Sequence, residues 1–190
     1  MSQELEIEFK NLLTKKEFDQ MKLYYQFSPE QFVTQKNHYY DTPFFSLKEK
    51  GAALRIREKQ NRHVLTLKEP APVGLTETHQ SLPFQPDVES FHIPDGPVFG
   101  RLRDLGIESE SLQYFGTLTT DRAEKKLPQG LIVLDRSRYL TVEDYEVEFE
   151  VADYEQGKQD FTAILKSFGI PPRDTKNKIV RFYEQKLKDK

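Results

Sequence analysis

Three stretches of strict alternation constrain this chain more than anything else in it. Glu4-Leu5-Glu6-Ile7-Glu8-Phe9-Lys10, read with the two-residue side-chain period of a strand, puts Leu5, Ile7 and Phe9 on one face and Glu4, Glu6, Glu8 and Lys10 on the other. Leu54-Arg55-Ile56-Arg57 repeats the pattern with cations alone, and Tyr145-Glu146-Val147-Glu148-Phe149-Glu150 with anions alone. One such strand is explained by an antiparallel sheet with a solvated face. Three strands with charge segregated by sign point instead to polar faces that meet one another.

The remaining composition narrows the setting. A chain of 190 residues, 36% hydrophobic and 31% charged, is long enough for one well-buried domain, and residues 1–190 are read as a single domain. No stretch reaches the roughly 18 apolar residues of a membrane helix, and the start lacks the basic and apolar regions of a signal peptide, so the expectation is a cytoplasmic protein without a membrane partner. The absence of cysteine excludes disulfides, iron–sulfur clusters and thiolate zinc sites. With a net charge of −3 there is no global field for nucleic acid, so any anion site must be local. His38, His63, His79 and His92 show no metal-ligand spacing and read as ordinary surface or strand residues. Neither a P-loop nor Gly-x-Gly-x-x-Gly is present.

In chain order, Thr14-Lys15-Lys16-Glu17 has the form of a capping box, with Leu13 and Phe18 as its hydrophobic staple, and predicts a helix through about Tyr25. Ser28-Pro29 starts a short second helix, Thr34 to Asp41 reads as a strand, and residues 44 to 52 as a connection. Strands from Ala53 to Lys59 and His63 to Glu69 flank a hairpin tip at Gln60-Asn61-Arg62, and a weaker strand runs from Leu75 to Leu82. The proline-rich stretch 83–97 reads as irregular, followed by a short helix over Val98, Leu102 and Leu105 with Gly106 as its stop. Strands around Tyr114–Lys126, Leu131–Ser137 and Asp144–Val151 come next, then helices over Phe161–Phe168 and Thr175–Lys188.

About eight strands with few helices make a sandwich or a barrel. In a sandwich the charged faces would point to water with no reason to correlate in sign. In a closed barrel whose apolar face is covered by the three amphipathic helices, they would line the interior. The residues so placed are Lys10, Arg55, Arg57, Lys68 and Arg122 against Glu6, Glu8, Asp135, Glu148 and Glu150. Burying these charges is costly unless they pair, stay wet or bind ions.

Glu6-x-Glu8-x-Lys10, Leu54-Arg55-Ile56-Arg57, Leu65-Thr66-Leu67-Lys68, Arg122, Asp135 and the late Glu-x-Glu strand, in this order, resemble the CYTH superfamily of triphosphate tunnel metalloenzymes, and within it the YjbK-like bacillary branch. The resemblance covers essentially the whole chain. It implies an α+β fold built on a closed eight-stranded antiparallel β-barrel, a tunnel with helices packed on its outside. It also implies divalent metal and substrates bearing a linear triphosphate; members resembling this chain hydrolyse tripolyphosphate, thiamine triphosphate or RNA 5′-triphosphate ends, and a few make cyclic AMP. Fold likeness does not choose among these.

Residue by residue, Arg55 and Arg57 can make bidentate contacts to phosphate oxygens from one strand face, with Lys10, Lys68 and Arg122 completing a cradle for the small-molecule triphosphate. Glu6, Glu8, Asp135, Glu148 and Glu150 are hard oxygen ligands suited to Mg²⁺ or Mn²⁺. Glu6, Glu8 and Glu148 are expected to be essential. Glu146, Glu148 and Glu150 share a face, and the later two are favoured as the functional pair. Glu77 is either a lumen residue serving as general base through water or an exposed glutamate. Lys176 and Lys178 precede the last helix and either reach the tunnel mouth or form a basic, solvated helix start, the second being favoured; the Tyr39-Tyr40-Asp41 segment is read as structural, and Phe9, Tyr145 and Phe149 as core. The leading expectation is a metal-dependent triphosphatase. Its rivals are an adenylate cyclase, for which no adenine pocket is recognisable, a non-catalytic triphosphate-binding module, which would not need the acidic face, and an RNA-binding barrel, which would expose aromatics among the basic residues. A nucleic-acid partner is not expected; a homodimer is the oligomer to test.

Overall fold

The computed structural model describes residues 3–188. Eight strands, β1 (Gln3–Leu13), β2 (Val33–Asp41), β3 (Ala53–Lys59), β4 (Arg62–Pro70), β5 (Leu75–Leu82), β6 (Gln113–Leu127), β7 (Gly130–Tyr139) and β8 (Val142–Val151), close into an antiparallel barrel in the order β1-β5-β4-β3-β2-β6-β7-β8. Five helices accompany them: α1 (Lys15–Tyr24), α2 (Ser46–Glu49), α3 (Pro97–Asp104), α4 (Tyr154–Ser167) and α5 (Lys178–Lys188).

Local chemistry fixes the boundaries. The capping box forms as the sequence predicts: Thr14 Oγ1 accepts from Glu17 N–H at 3.2 Å, and the Glu17 carboxylate accepts from Thr14 N–H at 2.7 Å. Leu13 and Phe18 are buried in one cluster, as a staple requires. Gln60 and Asn61 both sit at positive φ, 51° and 60°, which gives the β3–β4 hairpin the mirror-image turn whose twist suits antiparallel strands. Asp153 caps α4 by accepting from Gln156 N–H at 2.8 Å. Asp41 accepts from the backbone N–H groups of Thr42, Leu47 and Lys48, so the structural reading of its segment has a concrete basis: it builds the turn that carries α2, a single helical turn inside what the sequence suggested was plain connection.

Contacts divide the chain into two compact units. The first comprises the chain up to Glu6 together with Gln35–Leu118. Its outward strand faces and α3 bury Tyr40, Leu54, Ile56, Leu65, Leu67, Leu82, Val98 and Leu102. The second comprises Ile7–Thr34 and the chain from Thr119 onward. There α1 and α4 pack on β8, burying Phe18, Met21, Ile132, Leu134, Val147, Phe149, Phe161 and Leu165, with Phe9 and Tyr145 against them. Burial of each such side chain contributes about 1.5–3 kcal/mol, enough to decide which strand face turns outward and so to turn the charged rows inward. β1 belongs to both units: Gln3–Glu6 pairs with β5 and Ile7–Leu13 with β8.

Candidate active site

In the first unit the inward row of β3 holds Arg55 and Arg57, two residues apart, as the alternation demands. Arg55 lies opposite Tyr39 on β2 and Thr66 on β4; Arg57 lies opposite Asn37 and Val64, and its Nε donates to Asn37 Oδ1 at 3.0 Å. On β4, Lys68 Nζ donates to Glu6 Oε2 at 2.6 Å and contacts Glu77 Oε1. Glu77 is only 4% exposed, which removes the exposed-glutamate reading. Burial by itself would raise its pKa, but the Lys68 and Arg55 charges prevail and hold it down at about 2. A carboxyl held there is ionised at neutral pH, and its contact with Lys68 lets it position that ammonium group.

In the second unit the inward rows of β1, β6, β7 and β8 converge. Glu8 is the register partner of Glu150, and Lys10 that of Glu148. Lys10 Nζ pairs with Glu8 and donates to Asn177 Oδ1 at 2.6 Å. Arg122 grips Asp135 with two parallel bonds, Nε to Oδ1 at 2.8 Å and Nη2 to Oδ2 at 2.6 Å, and also meets Glu148. Lys178, at the first turn of α5, reaches Asp135 at 2.9 Å, Glu146 at 2.7 Å and Glu148. Arg181, one turn later, reaches Glu146 at 2.5 Å and Asp144 at 3.1 Å.

Two expectations change here. Lys178 is no solvated helix start: its side chain is 12% exposed and ringed by carboxylates, whereas Lys176 is exposed and pairs with Glu184, as expected. Five oxygen ligands were expected to act together, yet the structure sorts them. Asp135 and Glu148 are held by Arg122 and Lys178. Glu8 and its register partner Glu150 are more accessible, oxygen donors suited to a divalent cation, and Glu6 is the preceding inward residue of β1.

Protonation follows the same division. Burial, reinforced by its neighbour Glu148, raises Glu146 to about 7. Burial opposes ionisation of Glu148 as well, but Arg122 and Lys178 pull it well below the usual carboxylate range. Lys178 loses to burial and gains more from Asp135, Glu146 and Glu148, so it stays charged. Glu146 is therefore the partner of Lys178 and Arg181, and of the two alternatives for the late strand, Glu150 is the residue that faces Glu8.

The sequence reading missed Asn177 and Arg181 as contributors and held Lys178 only as the less favoured alternative. A signal existed in the spacing: Lys178, Arg181 and Phe182 fall at i, i+3 and i+4, one face of a helix, and Phe182 is 1% exposed with its ring 5.8 Å from that of Tyr139. Phe149 is fully buried as core, as expected.

The CYTH domain family matches residues 4–183. The chain belongs to the CYTH family. The Bacillus subtilis protein named "Putative triphosphatase YjbK" is 57% identical over 188 residues, covering 99% of each chain. Among solved structures, a Bacillus halodurans protein described as a putative adenylate cyclase is 45% identical, covers 96% of this chain and 100% of its own, and superposes with a TM-score of 0.92. A Hippeastrum protein, described as a putative adenylyl cyclase that reveals a dominant triphosphatase activity, is 21% identical with a TM-score of 0.74 over 95% of this chain and 96% of its own; at that identity the likeness speaks for the fold alone.

Proposed function

We propose that this CYTH chain is a divalent-metal-dependent triphosphatase that hydrolyses inorganic tripolyphosphate or a small organic triphosphate. One observation carries the reading: in the first unit Arg55 and Arg57 on β3 and Lys68 on β4 lie on neighbouring strands, Lys68 bonded to Glu6, and in the second Glu8 on β1 faces Glu150 on β8. A triphosphate needs both, cations to neutralise its oxygens and a metal to bridge carboxylates to phosphate. The triphosphatase name of the relative sharing 57% identity points the same way.

In this reading Arg55, Arg57, Lys68, Lys10 and Arg122 bind the phosphates. Glu6, Glu8 and Glu150 hold Mg²⁺ or Mn²⁺, which would supply charge neutralisation and a more acidic bound water. Asp135 and Glu148 orient Arg122 and Lys178 rather than ligating the ion directly. A helix-free phosphate cradle of this kind depends on side chains alone, so each arginine matters.

The test is phosphate release from tripolyphosphate, thiamine triphosphate and ATP with Mg²⁺, Mn²⁺ or chelator, against the double variant Glu6→Gln/Glu8→Gln. Release that depends on metal and is lost in the variant is the expected result. Turnover surviving chelator or variant would remove the metal, and absence of turnover on every triphosphate would favour a binding module. The adenylate cyclase description of the B. halodurans relative motivates a second reading, and product analysis on ATP separates the two, since a cyclase yields cyclic AMP and pyrophosphate.

A further inference from the structure

A second cluster of ligand-type side chains lies in the first unit, outside the all-oxygen group and with different chemistry. Glu4, Glu77 and His79 each present one donor atom within 4.8 Å of the others. His79 Nε2 lies 3.0 Å from Glu4 Oε1 and 3.3 Å from Glu77 Oε2. The ring is held from its far side, where Nδ1 sits 2.9 Å from Thr66 Oγ1.

We infer that Glu4, Glu77 and His79 form a distinct binding site for a borderline transition-metal ion such as Zn²⁺ or Co²⁺. Three features carry this. The first is the division of labour on Glu77: Lys68 takes Oε1, while Oε2 is the oxygen turned to His79. The ammonium therefore does not occupy the ligand position, and it anchors the carboxylate from behind. The second is the Thr66 contact, an outer partner on the non-ligating nitrogen of the kind that fixes imidazole tautomer and orientation in metal sites. With Nδ1 engaged by Thr66, Nε2 is the ring nitrogen turned toward both carboxylates. The third is accessibility: Glu4 and His79 are open to solvent while Glu77 is buried, giving a preformed wall with an entry path and room for water ligands.

One imidazole with two carboxylates is a facial set that leaves positions open, and imidazole nitrogen selects Zn²⁺, Co²⁺ or Ni²⁺ over Mg²⁺. The chain would then hold two cation sites of different taste, an oxygen-only group that accepts Mg²⁺ or Mn²⁺ and a nitrogen-containing one that does not need Mg²⁺. The two pairings His79 makes with Glu4 and Glu77 are then the apo form of the site.

The experiment uses the full chain. Calorimetry with Zn²⁺, and Co²⁺ titration followed by its visible absorption, are run on the native protein, His79→Asn, Glu4→Gln and, as control, His63→Asn. The expected result is one Zn²⁺ or Co²⁺ site weakened at least about tenfold in His79→Asn and Glu4→Gln and unchanged in His63→Asn. Mg²⁺ binding should be the same in all four. Glu4 is 68% exposed in its side chain, so Glu4→Gln keeps the fold and remains informative even if His79→Asn does not fold. Equal Zn²⁺ affinity in the native protein and in Glu4→Gln, or no Zn²⁺ preference over Mg²⁺ in the native protein, would overturn the site. The readout is binding alone, so it stands apart from any triphosphatase assay.

Discussion

Lys178 shows how much rests on a single side chain. It is the cation shared by Asp135, Glu146 and Glu148, and truncating it leaves carboxylates that are almost fully buried with Arg122 and Arg181 as their remaining partners. Removing one partner of a buried pair typically costs about 3–5 kcal/mol, so Lys178→Ala should lower the urea midpoint sharply. Lys176→Ala, two residues away and exposed, should stay within about 0.5 kcal/mol of the native protein. An equal effect of both would mean that the carboxylate ring is already satisfied without Lys178. A second residue-scale prediction concerns Glu17, whose carboxyl is held at about 2 chiefly by Arg173 and by its role in the α1 cap. A depressed carboxyl contributes stability that is present above its unfolded value of about 4.5 and lost as pH falls through about 2. The stability difference between the native protein and Arg173→Ala should therefore be full at pH 6 and shrink across that window, as followed by thermal melts at successive pH values.

At the scale of elements, the α4–β8 contact is set by a residue with no side chain. A Cβ on Gly157 would come within 2.5 Å of Val151 Cγ2, so the helix can lie on β8 only because position 157 is bare. Helix propensity alone predicts that Gly157→Ala stabilises by about 1 kcal/mol. The packing predicts the opposite, a loss of roughly 1–3 kcal/mol from overpacking, and a melting curve decides between them. Elements were the level at which the sequence spoke most clearly. The capping box at Thr14, the turn at Gln60-Asn61 and the alternation in β1, β3 and β8 are local signals, written in neighbouring residues. What stayed hidden was the use made of α5, because the choice between water and a carboxylate ring for Lys178 depends on strands about thirty or more residues away. His79 was hidden for the same reason: Glu77 shares its face of β5 two residues away, but Glu4 comes from β1, 75 residues distant, and no spacing rule reaches it.

For the whole molecule, the proposed function makes ligand and stability two readings of one equilibrium. A ligand at a hundred times its dissociation constant stabilises by about 2.7 kcal/mol, roughly 5–10 °C in melting temperature for a chain of this size. Tripolyphosphate with Mg²⁺ should produce such a shift in the native protein and little in Arg55→Ala or Arg57→Ala. Arg57→Ala should melt close to the native temperature without ligand, since Arg57 belongs to neither apolar cluster, while Arg55→Ala should lose somewhat more because its charge helps to hold the buried Glu77 carboxylate. A large intrinsic loss instead would make the arginines part of the scaffold.

The divided loyalty of β1 has a consequence for how the chain comes into being. Its later half, Ile7–Leu13, is made well before its partner Tyr145–Val151, which follows only after more than a hundred further residues. At roughly 5–20 residues per second, that half-strand waits on the order of ten seconds with its backbone edge uncovered. Glu8 and Lys10, which later face the interior, meanwhile act as the charges that keep a waiting edge from pairing with a stranger.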